Sequence, residues 1–111
     1  MPRIVSERNL TLAEVKELLE KEESKRSLST LERYTLDYAR RFSKIEDPVS
    51  ARKAVEQLMA EMGLPEEIAV QLVNIAPSDP GEVRLILSPL NRIFTEDELR
   101  RVLEIIRQYL S

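Results

Sequence analysis

Residues 95–110 read TEDELRRVLEIIRQYL, from Thr95 to Leu110. Thr95 followed three residues later by Glu98 is a capping box, in which each side chain accepts a hydrogen bond from an otherwise unpaired backbone N–H at the helix start. Behind it, Leu99, Val102, Leu103, Ile106 and Leu110 recur every three or four residues. That spacing is the stripe of a helix with one face in a core. The acids Glu96, Asp97 and Glu98 fall in the first turn, where the helix dipole favours negative charge. This segment predicts a helix unaided.

The same signals recur upstream. Thr11/Glu14, Ser29/Glu32 and Asp79/Glu82 have capping-box spacing. Asp47-Pro48 is a further start, with proline at the first helical position, where its missing N–H costs nothing. Gly63-Leu64-Pro65 supplies a stop followed by a new start. The predicted helices carry Leu12, Val15, Leu18 and Leu19; then Leu31, Tyr34, Tyr38, Phe42 and Ile45; then Val55, Leu58, Met59 and Met62. A shorter one over about Pro65 to Asn74 offers Ile68, Leu72 and Val73, and a stub from Pro80 to about Leu87 offers Val83, Ile86 and Leu87. With the last helix this gives an all-α bundle of about six helices with short connections.

Two segments interrupt the pattern. Residues 20–27, EKEESKRS, are a charge run without apolar partners, expected to be a frayed helix end and a solvated connection that lets the first helix stand apart from the other five. Arg3-Ile4-Val5-Ser6 is β-branched with no other strand to pair with. It is either a disordered terminus or an arm that adds a strand to another protein's sheet.

The chain has 111 residues, of which 42% are hydrophobic and 33% charged. That suits one domain and is too apolar for disorder. No uncharged apolar run approaches the roughly 18 residues of a spanning helix, and the N-terminus lacks a signal-peptide core, so a cytoplasmic protein without membrane contact is expected. There is no Cys and no His, which removes disulfides, thiolate metal sites and the commonest general base. The two glycines, Gly63 and Gly81, cannot write a P-loop or a dinucleotide fingerprint. No cofactor, metal, small-molecule substrate or catalytic residue is expected; an enzyme here would need carboxylates gathered in a pocket with raised pKa values. Glu66/Glu67 and the acids at 96–98 are accounted for by first-turn positions.

The net charge of −3 argues against a surface built wholly to grip phosphate. Arg40, Arg41 and Lys44, with Arg33 two turns earlier, form a candidate nucleic-acid contact, yet cations at a helix C-terminus also answer its dipole. Among Arg92, Arg100, Arg101 and Arg107, the spacings Glu96/Arg100 and Asp97/Arg101 predict surface ion pairs. Tyr34, Tyr38 and Phe42 share one helix face; core packing is the favoured expectation, a stacking platform for unpaired bases the other.

Residues 77–87, PSDPGEVRLIL, together with Phe94-Thr95-Glu96-Asp97-Glu98-Leu99 running on to Ile105-Ile106-Arg107-Gln108-Tyr109-Leu110, resemble the F-type stalk polypeptide of archaeal DNA-directed RNA polymerase, the counterpart of the fourth subunit of the eukaryotic enzymes. The likeness extends upstream through residues 11–19, TLAEVKELL, and an extended arm. It implies a bundle like the C-terminal domains of RecQ-type helicases and ribonuclease D. It also implies a non-catalytic subunit that pairs with the polymerase's E-type polypeptide, a small β-rich chain, to form a stalk heterodimer. Through that partner it reaches the polymerase core and supports initiation and elongation, with at most a weak contact to nascent RNA. The family's arm and first helix attach to the partner, which points here to Ile4, Val5, Leu12, Val15, Leu18 and Leu19. The expected division is an attachment segment over residues 1–27 and a bundle over residues 28–111. The Glu82-Val83-Arg84 stub is either an internal clamp or a partner contact through Arg84. The alternative function is a free-standing helical module for single-stranded nucleic acid, of the helicase-appendage type.

Overall fold

The computed structural model describes residues 9–110, and among them the fold is all-α. Six α-helices follow one another: α1 (Leu12–Glu23), α2 (Thr30–Phe42), α3 (Pro48–Met62), α4 (Glu66–Ile75), α5 (Pro80–Leu87) and α6 (Glu96–Tyr109), with a 3₁₀ turn at Ser88–Leu90 between the last two. Ile4 and Val5, and with them the β-arm reading, lie outside the described residues.

Local chemistry sets the ends. Thr11, Ser29 and Thr95 each form the reciprocal capping box with Glu14, Glu32 and Glu98. Asp47 accepts from the N–H of Ser50, with Pro48 opening α3. At α5, Asp79 accepts from the N–H groups of Gly81 and Glu82, while the Glu82 carboxylate takes the N–H of Ser78, one residue outside the expected box. Helix α3 stops at Gly63 in the left-handed conformation, φ 65°. A Cβ there would meet Arg92 Nη1 at 3.7 Å, an ordinary contact, so the objection to other residues is conformational. Gly63→Ala should cost about 1 kcal/mol, read as a lower denaturant midpoint at unchanged slope. Helix α4 ends at Ala76 in the same region, φ 47°, an unfavourable backbone for alanine whose half-buried methyl packs against the core.

One continuous core holds α3, α4, α5 and α6 together. Val55, Leu58, Leu72, Val83, Leu87, Leu99, Val102 and Ile106 are among its fully enclosed members. Helix α3 lies against α4 and α6, and α5 against α4 and α6. Polar clamps close the outside: Tyr109 Oη donates to Gln57 Oε1 at 2.7 Å, and Arg101 forks onto Glu61 at 2.9 and 3.0 Å. Arg92 donates to the Met62 carbonyl at 2.8 Å and covers the Phe94 ring at 4.4 Å. In the stub, Val83 is buried and Arg84 pairs with Glu96 at 2.7 Å.

Three expectations change. The first helix does not stand apart: α1 lies on α3, its Ala13 belongs to the core, and the Leu12 N–H donates to Asn74 Oδ1 of α4 at 2.9 Å. The helix held at a distance is α2, whose substantial packing is against α1 alone. Its buried residues are Leu36 and Ala39, and neither belongs to the main core.

Tyr34, Tyr38 and Phe42 are therefore not core residues but exposed by 67%, 48% and 47%. The stripe beginning at Leu31 is apolar at helical spacing, but Leu36 and Ala39 form a second stripe, and the small Ala39 allows α1 to come close. Ile45 is buried as expected, although it sits past the end of α2 and anchors the connection into the core.

The ion pairs also differ from the simple spacing. Glu96 goes to Arg84, Asp97 to Arg100 and Glu61 to Arg101. The charge run is not merely solvated. Glu20 and Glu23 meet Arg40, and Arg26 bridges Glu22 to Glu32, so these charges fasten α2 to α1. The Arg26 fork, helped by the Ser29 N–H, holds the Glu32 carboxyl down at about 2.

Candidate functional site

The residues singled out on the first helix converge on one feature. Helix α1 presents Val15, Leu18 and Leu19 at helical spacing, with Leu10 preceding them. Helix α2 contributes Leu31, Glu32 and Thr35 as the opposite wall. Between them runs an open groove of about 250 Å³, almost wholly apolar in its lining. Leu18 remains 42% exposed and Leu31 73%. Leucines left this bare cost solvation free energy, at about 25 cal/mol per Å², that a docked partner recovers.

Leu12 has a different place. It is half-buried at the first turn, where its N–H is held by Asn74. Of the six attachment residues, Val15, Leu18 and Leu19 line the groove, Leu12 does not, and Ile4 and Val5 precede the described residues.

The groove's orientation is set by Arg52 of α3. Its guanidinium takes Glu14 of α1 with two donors, Nε to Oε2 at 2.9 Å and Nη2 to Oε1 at 2.7 Å. Nη1 reaches Glu66 of α4 at 2.8 Å, and Nη2 also donates to the Asn9 carbonyl at 2.7 Å. Forked pairing of this kind fixes direction as well as distance. The two carboxylates, Glu14 first, hold the Arg52 pKa above its ordinary value against the opposing effect of burial. Because Glu14 is also the capping-box carboxylate of α1, one side chain joins the start of that helix to the bundle. Neither Arg52 nor Leu31 stands out as a site residue in the sequence, since the partners of Arg52 lie 38 and 14 residues away.

The candidate nucleic-acid cations are divided. Arg40 is committed to Glu20 at 3.1 Å and Glu23 at 3.7 Å. Arg41 and Lys44 are not buried, and among the described residues no ion pair holds either. No group of three or more His, Cys, Asp or Glu among the described residues is arranged to hold a metal ion, and no helix there is long and apolar enough to cross a membrane.

Comparison with known proteins adds the remaining finding. Residues 9–110 match the family described as RNA polymerase Rpb4. Over 108 residues the chain is 32% identical to the DNA-directed RNA polymerase subunit Rpo4 of Methanocaldococcus jannaschii, covering 97% of this chain and 90% of that protein. The match takes in the α1–α2 hairpin and its groove together with the whole core, so this chain belongs to the RNA polymerase Rpb4 family.

Proposed function

We propose that this chain is a non-catalytic accessory subunit of an archaeal DNA-directed RNA polymerase, paired with the E-type polypeptide as a stalk heterodimer that supports initiation and elongation. The observation that carries the reading is the apolar groove, which gathers Val15, Leu18 and Leu19 where the family resemblance puts partner attachment. The function is mechanical: the bundle of α3 to α6 is a rigid base, Arg52 orients the α1–α2 hairpin on it, and the leucines grip the partner. Residues 1–27 act as the attachment segment, with Ile4 and Val5 adding an edge strand to the partner's sheet.

A charge placed in the groove tests this. Leu18→Asp should weaken association with the purified E-type polypeptide by at least about 100-fold, because the carboxylate would be desolvated without a cation. Leu18 is exposed enough in the free chain that the variant should melt like the parent. Undiminished binding in a titration of the two full-length chains would remove the reading. The alternative of a free-standing single-strand binder is less well supported, since Arg40 already serves two carboxylates.

A further inference from the structure

We infer that the bare stripe Leu31, Tyr34, Tyr38 and Phe42 on α2 is the second half of the surface covered by that same stalk partner, so that the hairpin is held across both helices. The inference rests on the pairing proposed above and adds where the partner must reach.

Geometry comes first. Successive residues turn by about 100°, so the stripe lies roughly a quarter-turn or more from the Leu36–Ala39 face that packs on α1. Nothing in the main core covers it. Tyr38 and Phe42 form a continuous platform, their ring centroids 4.8 Å apart with planes tilted by 46°. Leu31 is both the head of this stripe and a wall of the groove, so the two features are one surface.

Size decides between a groove alone and the wider footprint. Aromatic side chains bring about 150–250 Å² each. At the exposures given above, the stripe offers on the order of 450 Å² beyond the groove's other walls. Stable pairing needs about 800 Å² per partner, and a groove of about 250 Å³ admits only a few side chains. A monomer's largest apolar patch is normally about 300–600 Å². Stripe and groove together reach the upper part of that range, where such patches are often functional.

Charge decides what kind of partner fits. A phosphodiester chain would meet Asp37 between the two tyrosines in sequence, and beyond Phe42 the negative pole of the α2 dipole. Of the nearby cations, Arg40 is occupied by Glu20 and Glu23. Arg33, Arg41 and Lys44 are exposed with no ion pair among the described residues, but it is the exposed tyrosine beside Arg41 that has the composition of a protein hot spot. The complementary partner face is aliphatic, with a carboxylate opposite Arg41.

The test uses the full-length pair and two variants, Tyr34→Ala/Tyr38→Ala/Phe42→Ala and Leu18→Asp. The triple variant should keep the parent's circular dichroism and melting temperature, since alanine favours helix, yet bind the E-type polypeptide at least about 30-fold more weakly. In the parent complex, Tyr34 and Tyr38 should lose reactivity toward tetranitromethane relative to the free chain. If the triple variant binds within about twofold of the parent and both tyrosines stay reactive, while Leu18→Asp still breaks the pair, the stripe is not part of the footprint and the groove reading stands. If neither variant alters binding, the pairing itself is wrong. If the triple variant keeps its partner but the assembled pair loses crosslinking to single-stranded RNA, the stripe is a nucleic-acid surface and the inference is overturned.

Discussion

Arg52→Ala should destabilise the folded chain by about 2–3 kcal/mol, somewhat below the range for breaking a fully buried ion pair because some solvent reaches the cluster. Arg52 makes four hydrogen bonds to three residues, Glu14, Glu66 and Asn9, and its side chain is only 12% exposed. Removing it leaves the Glu14 and Glu66 carboxylates facing each other without this cation and the Asn9 carbonyl without this donor. For a chain of this size the melting temperature should fall by roughly 8–15 °C. The loss should also be uneven. Amide exchange should accelerate first in α1 and α2, because Arg52 is the ion-pair tie between that hairpin and the base, beside the Ala13 packing and the Leu12–Asn74 hydrogen bond. Arg52→Lys should recover only part of the difference, since an ammonium group cannot fork onto Glu14 while reaching Glu66. Uniform exchange across all six helices, with a melting temperature within a degree or two of the parent, would show that the hairpin is held by other contacts.

Leu58→Ala should cost about 3–4 kcal/mol, within the range for deleting an enclosed leucine. Leu58 is fully buried at the heart of the core between α3 and its neighbours. Leu36→Ala removes an equally buried leucine, but one outside that core. Its effect should stay local: α2 should lose protection against exchange while α3 to α6 keep theirs. Urea unfolding followed by amide exchange in the two variants separates the cases. Equal and global loss in both would mean that the hairpin and the base unfold as one unit. The contrast matters for the proposed function, because an attachment device that loosens separately is ordered when its partner arrives, at some cost in affinity.

Much of the fold is legible before any coordinates. Thr11, Ser29, Asp47, Asp79 and Thr95 mark helix starts, and Gly63 a stop, through hydrogen bonds and backbone angles that involve residues only a few positions apart. The stripes of α3, α4 and α6 are equally local, since one apolar face on a helix leaves one choice of what to bury, although Met59 and Leu110 at the edges of theirs stay exposed. The groove residues Val15, Leu18 and Leu19 are marked in the sequence by the family resemblance, which puts partner attachment on the first helix; periodicity alone shows only that α1 has an apolar face.

Helix α2 shows where such reading ends. It carries one apolar stripe through Leu31, Tyr34, Tyr38 and Phe42 and a smaller one at Leu36 and Ala39. The larger aromatics point to the first as the core face, yet the chain buries the second. Periodicity states which faces are apolar; which one is covered depends on the neighbour that lies alongside, and here that neighbour is α1, reached through ion pairs of Arg26 and Arg40. The site of Arg52 is similar, because nothing near it in sequence announces that Glu14 and Glu66 meet at its guanidinium. The sequence by itself determined the helices and most of what they enclose, because caps and periods act within a few residues. Tertiary structure alone decided that α2 rides on α1 with its aromatics bare, because burial is a relation between surfaces far apart along the chain.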